Sequence, residues 1–238
     1  MTSTVSKDHK GLAAPQVAPT YIQIVGRDEL FGVRRIYCVG RNYLEHIREM
    51  QEGDERDPPF FFQKPTDAIV TNGQVPMPPA TSDFQYEAEL VIAIGAEGSH
   101  VSMEHALDLV LGYAVGLDMT RRDHQRTSCQ RGHPWEIGKS FDHSAPCAPI
   151  HPVETVGHLL EGPLSLEVNG TLKQQSRLEK MIWNVPEIIC QLSQLYRLMP
   201  GDLIFTGTPE GVGAVHPGDT LIGRIAALTP LEVTITAA

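Results

Sequence analysis

Short extended segments separated by turn signals dominate this sequence and limit the folds that it can adopt. TYIQIVG, RRIYCVG, AIVTNGQVPMP and FQYEAELVIAIG alternate or run apolar in the manner of β-strands, and Gly, Pro or an Asn-Gly pair separates them. The regular strand–helix alternation of a doubly wound parallel sheet is missing. We therefore predict an α+β fold in which strands dominate and helices are few.

Three segments have the character of helices. In RNYLEHIREM, the residues Tyr43, Ile47 and Met50 recur at helical spacing, and an acidic loop is expected to follow them. MEHALDLVLG, with Ser102 as a plausible N-cap, predicts a second helix that runs into an apolar segment. The clearest helix begins at Pro186, and its apolar face consists of Ile188, Ile189, Leu192, Leu195 and Leu198.

Charge and composition exclude several classes of function. The chain has 19 Lys and Arg against 29 Asp and Glu, a formal charge of −10 that argues against a nucleic-acid partner. An anionic substrate remains compatible, because a bound cation can invert the charge of one pocket. The four cysteines form no CxxC pair and are expected to be reduced thiols. No signal peptide or membrane span is visible, so we expect a cytoplasmic protein without a membrane partner.

Three carboxylates form a candidate metal site. Glu87 and Glu89 are two apart in a predicted strand and therefore share a face, and Asp118 ends the apolar segment GYAVGLD. Carboxylates alone suit Mg²⁺, Mn²⁺ or Ca²⁺, and three protein ligands leave positions for water and substrate. On spacing alone the ordinary alternative is stronger, in which the glutamates line the wet face of an edge strand and Asp118 caps a turn.

Further residues could carry catalysis, although each has an ordinary alternative. His46 and Glu49 are three apart and share a helix face, so the carboxylate could orient the imidazole as a general base. On spacing alone, an exposed surface pair is the stronger alternative. Lys139 lies among apolar neighbours, where a buried ammonium needs an anionic partner; the ordinary alternative is a lysine whose ammonium reaches solvent. The hydroxyl of Thr208, in a Gly-Pro turn, could bind a substrate carboxylate. Arg122 and Gln125 follow Asp118 closely enough to face one pocket, or could lie on the surface.

Several blocks in one order give the sequence a recognisable character. They are IYCVGRNYLEHIREM, PPFFFQKPTDAIV, YEAELVIAIG, GYAVGLDMTRRDHQ, GHPWEIGKSFDHSAP and GDLIFTGTPEGVG. With these blocks the chain resembles the fumarylacetoacetate hydrolase family, particularly its small members. The resemblance implies a mixed β-roll fold, a catalytic domain over residues 31–238 that follows an arm and first strand over residues 1–30, and a homodimer.

The resemblance also implies the roles of individual residues. The metal ligands would be Glu87, Glu89 and Asp118, holding Mg²⁺ or Mn²⁺, with Ca²⁺ possible in a crystal. Proton transfer would belong to His46 with Glu49, on a lid over residues 41–57. Lys139 would stabilise negative charge. Arg122, Gln125 and Thr208 would bind the substrate. One departure is Tyr86, where many small relatives carry a histidine before the first glutamate; it could alter how Glu87 is oriented.

Three hypotheses for the function follow. The first is hydrolysis of a carbon–carbon bond in a small dicarbonyl acid, an acylpyruvate, with the PPFFFQKP block favouring fumarylpyruvate from the breakdown of aromatic compounds. The second keeps the site but changes the reaction, to decarboxylation of oxaloacetate or isomerisation of 2-hydroxyhepta-2,4-diene-1,7-dioate. The third is a non-catalytic binding or structural protein stabilised by a metal ion, which would explain the carboxylates alone.

Overall fold

The fold is described from a computed structural model that covers residues 18–50 and 57–238. Residues 1–17 of the predicted N-terminal arm and residues 51–56 of the predicted acidic loop lie outside these described residues. Within them, no helix is long and apolar enough to cross a membrane.

The strands are short and numerous, as predicted. They are β1 Tyr21–Gln23, β2 Leu30–Gly32, β3 Arg35–Gly40, β4 Phe60–Lys64, β5 Ile69–Val70, β6 Gln74–Pro76, β7 Phe84–Tyr86, β8 Ala88–Ile94, β9 Val110–Leu117, β10 Thr120–Arg121, β11 Ala145–Pro146, β12 His151–Pro152, β13 Pro163–Val168, β14 Thr171–Arg177, β15 Asp202–Phe205, β16 Gly213–Ala214, β17 Thr220–Ile225 and β18 Leu231–Thr236. The α-helices are α1 Leu44–Met50, α2 Arg122–Arg131, α3 Glu136–Lys139, α4 Val153–Val156 and α5 Val185–Leu195.

Two mixed sheets enclose the main core. The first has six strands in the order β12-β9-β8-β15-β3-β4, with β15 and β3 parallel and the other neighbours antiparallel. The second has five strands in the order β14-β13-β17-β18-β6, in which β18 and β6 are parallel. Buried side chains from both sheets form one apolar cluster, including Leu90, Ile92, Val115, Leu166 and Leu221. This β-dominated, mixed architecture confirms the predicted fold class.

The predicted helix over MEHALDLVLG is wrong. The structure has two 3₁₀ turns there, Met103–His105 and Leu107–Leu109, and strand β9 begins directly afterwards at Val110. The pattern of apolar residues fits a helix, but residues from Val110 onward pair with β8 over the whole length of that strand. Tertiary pairing of β-branched and aromatic residues therefore overrides the local helical pattern.

The helix predicted to begin at Pro186 exists as α5 but ends earlier than expected. Its start is fixed by a capping box, in which the Asn184 side chain accepts from the Glu187 amide and Glu187 accepts from the Asn184 amide. The chain turns to extended backbone at Tyr196, which leaves Leu195 66% exposed and places the buried Leu198 beyond the helix. The apolar face of α5 therefore ends at Leu192.

One end of the six-stranded sheet gathers the chain segments that form the candidate site. Strands β8 and β9 are paired so that Ala88 faces Leu117, and the Asp118 amide donates to the Glu87 carbonyl over 2.9 Å. β15 lies on the other side of β8 and leads into the turn at Gly207. The segments at this end of β8, β9 and β15, which are distant in sequence, therefore lie side by side.

Asn42 connects the start of helix α1 to two other parts of this end of the sheet. Its Nδ2 donates to the carbonyls of Trp183 and Thr206, over 2.9 and 2.7 Å. Its Oδ1 accepts from the Trp183 amide over 2.7 Å, and its own carbonyl accepts from the Ile182 amide over 2.8 Å. Both polar atoms of this buried side chain and the carbonyl oxygen of the same residue are used, so Asn42 fixes where α1 begins.

We expect Asn42→Ala to lower the free energy of unfolding by about 2–4 kcal/mol, because each buried polar partner left unsatisfied costs roughly 1–3 kcal/mol. Asn72→Ala is the matched control: this exposed side chain accepts one bond, from the Gln74 amide over 3.0 Å, and its loss should cost under about 1 kcal/mol. Urea unfolding followed by circular dichroism measures both variants. Equal midpoints for the two variants would contradict the role given to Asn42.

Candidate active site

The three predicted metal ligands converge in a buried cluster. Glu89 is the second residue of β8, Asp118 follows β9, and Glu87 lies in the break between β7 and β8 rather than inside one strand. Each residue offers one carboxylate oxygen, and these oxygens lie within 4.8 Å of one another. Relative exposures of 5%, 1% and 1% for Glu87, Glu89 and Asp118 exclude the alternative of a wet edge strand.

Three cationic side chains face the cluster. Lys139 Nζ lies 2.8 Å from both Glu87 Oε2 and Asp118 Oδ2 and donates to Thr120 Oγ1, also over 2.8 Å. Lys64 Nζ lies 2.8 Å from Asp118 Oδ1. The Arg122 guanidinium bonds Glu87 Oε1. The buried Lys139 therefore has the anionic partners that its apolar sequence neighbourhood required.

The electrostatics differ among the three carboxylates. Burial acts to raise the pKa of Glu87, but Lys139 and Arg122 outweigh it, so that the pKa lies well below its ordinary value. Burial, reinforced by Asp118 and Glu87, raises the pKa of Glu89 well above its ordinary value. Glu89 Oε2 accepts from the Gly207 amide over 2.8 Å.

The donor set fits a divalent cation. A dication beside Glu89 would supply the positive charge that the lysines and Arg122 supply to the other two carboxylates. All three donors are hard carboxylate oxygens, which suit Mg²⁺ and Mn²⁺. Glu87, Glu89 and Asp118 are therefore the residues that could hold such an ion.

His46 and Glu49 form the pair that their spacing predicted. Both lie on α1, with His46 Nδ1 3.2 Å from Glu49 Oε2, and the Gly211 amide donates to Glu49 Oε1 over 3.1 Å. Burial acts to raise the pKa of Glu49, but the hydrogen bonds from His46 and Gly211 hold it below its ordinary value. A carboxylate at Nδ1 keeps the proton on that nitrogen and leaves Nε2 as the basic one.

One cavity connects these groups. Seven of the nine predicted site residues line it, namely His46, Glu87, Glu89, Arg122, Gln125, Lys139 and Thr208. The remaining two, Glu49 and Asp118, contact a lining residue directly. Helix α1 provides one side of this cavity, and residues 51–56 of the predicted lid lie outside the described residues.

The three predicted substrate-binding residues are buried rather than on the surface. Arg122 Nη1 donates to Gln125 Oε1 over 3.3 Å, so the two side chains act together on one wall. Thr208 Oγ1 donates to the Ala88 carbonyl over 2.9 Å and accepts from Gln174 Nε2, also over 2.9 Å. This geometry fixes the Thr208 hydroxyl at the cavity wall.

Sequence reasoning missed two residues that support the cluster. Lys64 ends the aromatic strand β4 and is fully buried, and a lysine within the run FFFQKP could have been recognised as needing an anionic partner. Gln174 holds Thr208 and also accepts from the Ala88 amide over 3.0 Å. Gln174 lies in a polar, mostly exposed strand, so no local signal marks it.

Comparison with known proteins agrees with this geometry. The family model "Fumarylacetoacetate (FAA) hydrolase C-terminal" matches residues 35–236. The chain is 49% identical over 177 residues to a fumarylpyruvate hydrolase of Ralstonia sp, covering 74% of this chain and 92% of the relative. It is 39% identical over 191 residues to a mitochondrial oxaloacetate decarboxylase of Dictyostelium discoideum, covering 79% and 87%.

Solved structures give the same result. The crystal structure of fumarylpyruvate hydrolase from Pseudomonas aeruginosa, in complex with Mn²⁺ and pyruvate, superposes with a TM-score of 0.92 at 49% identity and covers 95% of this chain and 99% of that one. The 2-hydroxyhepta-2,4-diene-1,7-dioate isomerase from Mycobacterium marinum superposes with a TM-score of 0.74 at 34% identity, covering 86% and 75%. This chain therefore belongs to the fumarylacetoacetate hydrolase family, whose model matches residues 35–236.

Proposed function

We propose that this chain hydrolyses fumarylpyruvate to fumarate and pyruvate, a step in the breakdown of aromatic compounds. The observation that carries the proposal is the meeting of the His46–Glu49 pair with the buried carboxylates and Lys139 around one cavity. The 49% identity to a fumarylpyruvate hydrolase supports the choice of substrate. A non-catalytic metal-binding protein would give no reason for a base and a buried ammonium to meet there.

Glu87, Glu89 and Asp118 would hold Mg²⁺ or Mn²⁺. When bound, such an ion supplies a Lewis acid for the 2-oxo acid end of the substrate. Arg122 and Gln125, side by side on the wall, and the fixed hydroxyl of Thr208 would orient that same end.

His46 starts the reaction by taking a proton from water. Its Nε2 is the basic nitrogen, because Glu49 holds the proton on Nδ1. The hydroxide attacks the acyl carbonyl, which lies between the alkene and the methylene group of the substrate. Glu49 in turn is fixed by the Gly211 amide, so the pair is oriented before the substrate arrives.

Lys139 stabilises the charge that develops as the carbon–carbon bond breaks. The bond between the acyl carbonyl carbon and the methylene carbon gives its electron pair to the methylene side, which leaves as the enolate of pyruvate. The ammonium, held at the site by Glu87 and Asp118, faces that negative charge. The imidazolium of His46 then returns the proton to the methylene carbon, and the products are fumarate and pyruvate.

A second candidate is chemistry on oxaloacetate. The chain is 40% identical over 189 residues to an oxaloacetate tautomerase of Bos taurus, as well as 39% identical to the decarboxylase described above. Both substrates share a 2-oxo acid end, and both reactions pass through an enolate that Lys139 would stabilise. Isomerisation of a hydroxydienedioate would use the same groups. Only hydrolysis requires His46 to activate water.

We also propose a homodimer in the cytoplasm, with residues 31–238 as the catalytic domain. Tyr21 and Leu30, 49% and 53% exposed, flank a groove lined by Thr71, Cys147 and Pro149. An exposed apolar patch of this kind suits a subunit interface.

Turnover should depend on a divalent ion. Dialysis against EDTA should abolish hydrolysis, and Mg²⁺ or Mn²⁺ should restore it. Asp118→Asn should lose activity and ion binding but stay folded by circular dichroism. Lys139 retains its ion pair with Glu87, and Lys64 retains its hydrogen bond to the Met119 carbonyl. Asp108→Asn, which touches only an exposed pair with His105, is the control. Full activity in EDTA would contradict the metal site.

His46→Ala should lower kcat for hydrolysis by roughly 10²–10⁴, the usual worth of a positioned general base. Oxaloacetate decarboxylation, measured on the same preparations, should fall less because it needs no attacking hydroxide. Glu49→Gln should act in the same direction, and the double variant should be far less than additive. His105→Ala, at an exposed site, is the control. If His46→Ala retains hydrolysis and loses decarboxylation, the general base is another residue, with Lys139 the first candidate.

A further inference from the structure

The Gly211 amide holds the Glu49 carboxylate in place. The Glu49 side chain is 35% exposed, so packing fixes it only in part, and a glutamate loses much rotamer freedom when it is ordered. The amide donates to both carboxylate oxygens, over 3.1 Å to Oε1 and 3.2 Å to Oε2, and Oε2 lies 3.2 Å from His46 Nδ1. The position of Gly211 therefore decides how the carboxylate meets the imidazole.

Strand β14 fixes one side of the turn that carries Gly211. The φ of Gly211 is +93°, a conformation that favours glycine, and a Cβ there would lie 2.2 Å from the Lys173 carbonyl oxygen. Gln174 Nε2, from the next residue of β14, donates to the Pro209 carbonyl over 2.8 Å. The backbone of the turn is therefore packed directly against that of β14.

Tyr86 holds the same turn from strand β7. Its hydroxyl donates to the Gly211 carbonyl over 3.1 Å. β7 pairs with β16, where Tyr86 is opposite Gly213, and a Cβ on Gly213 would lie 2.9 Å from the hydroxyl oxygen. The tyrosine side chain thus crosses the neighbouring strand at a glycine. It is 3% exposed and is not one of the described residues that line the cavity, so its route to the site runs through Gly211.

We propose that Tyr86 is a positioning residue for the general base and acts through Gly211 on Glu49. The inference rests on the proposed function, since it takes His46 to activate water. The Tyr86 hydroxyl fixes the Gly211 carbonyl, and the amide of the same residue then points at the Glu49 carboxylate. Glu49 in turn keeps the proton on His46 Nδ1, so that Nε2 faces the reaction as the basic nitrogen.

The effect of Tyr86 is confined to the base. Tyr86 precedes Glu87 in the chain, and the sequence suggested that it could alter how that carboxylate is oriented. Glu87 is instead held by Lys139 over 2.8 Å, and the hydroxyl of Thr208 is held by the Ala88 carbonyl over 2.9 Å. Both contacts are independent of the tyrosine hydroxyl. Loss of that hydroxyl should therefore change the rate of water activation and leave substrate binding as it is.

The test removes one oxygen atom. We expect Tyr86→Phe to lower kcat for fumarylpyruvate hydrolysis by about 3- to 10-fold, the usual net worth of one hydrogen bond, and to keep KM within about twofold. Oxaloacetate decarboxylation, measured on the same preparation, should fall by less than about twofold, because it needs no attacking hydroxide. Tyr113→Phe is the matched control: it removes the hydroxyl of another buried strand tyrosine, 3.1 Å from His158 Nδ1, and should keep the wild-type kcat.

Two further comparisons need no decarboxylation. In a Glu49→Gln background, Tyr86→Phe should change kcat for hydrolysis by less than about twofold, because both substitutions break one chain of contacts. Exchange of the Gly211 amide hydrogen with solvent, followed by NMR, should be faster in Tyr86→Phe than in Tyr113→Phe.

An unchanged kcat in Tyr86→Phe, a loss shared equally by hydrolysis and decarboxylation, or a full further loss in the Glu49→Gln background would overturn the role of Tyr86. If the wild type does not hydrolyse fumarylpyruvate, the proposed function fails. If it does and Tyr86→Phe retains the wild-type kcat, only this inference fails.

Discussion

The burial of three carboxylates at one end of a sheet is the constraint on which the rest of the structure depends. Removing such charges from water is costly unless each is paired, and this chain supplies Lys64, Lys139 and Arg122 to Glu87 and Asp118. Glu89 accepts from the Gly207 amide instead. These cations come from β4, the end of α3 and the start of α2, which are therefore drawn to the same end of the sheet. The cluster thus organises the chain around it as well as providing a place for a divalent ion.

The two halves of the proposed chemistry are built on different supports. The carboxylates lie on or beside β8 and β9, in the centre of the six-stranded sheet, where packing fixes them. The base lies on the seven-residue helix α1, which is too short to be stable alone and is held by Asn42 at its start and by the Glu49–Gly211 contact at its end. A rigid centre is therefore paired with a separately anchored base.

The sequence predicts the parts of this arrangement that have a local signature. The strand-rich pattern with its Gly and Pro turns indicated the fold class, and the three-residue spacing of His46 and Glu49 predicted their contact. For Glu87, Glu89 and Asp118 the spacing alone favoured an exposed strand, and only the order of several motif blocks reversed that preference. The burial of these residues is the physical reason why the ordinary alternative fails.

The remaining features depend on contacts between distant segments. MEHALDLVLG has a helical pattern, yet pairing with β8 makes its last residues a strand. Leu198 has the spacing of a helix face but is buried beyond the end of α5. Gln174 acts on Thr208, 34 residues away in sequence, from a strand that is otherwise polar and exposed. No pattern within one segment reports such pairings, because their energy arises only when the sheets assemble.

The most direct measurement of the central claim is anomalous diffraction from crystals of this protein grown with Mn²⁺ and pyruvate. The account predicts one strong manganese peak per chain, within coordinating distance of carboxylate oxygens from Glu87, Glu89 and Asp118, with pyruvate beside it in the cavity that His46 lines. A peak at any other group of residues, or an active crystalline enzyme in which this cluster holds no manganese, would contradict it.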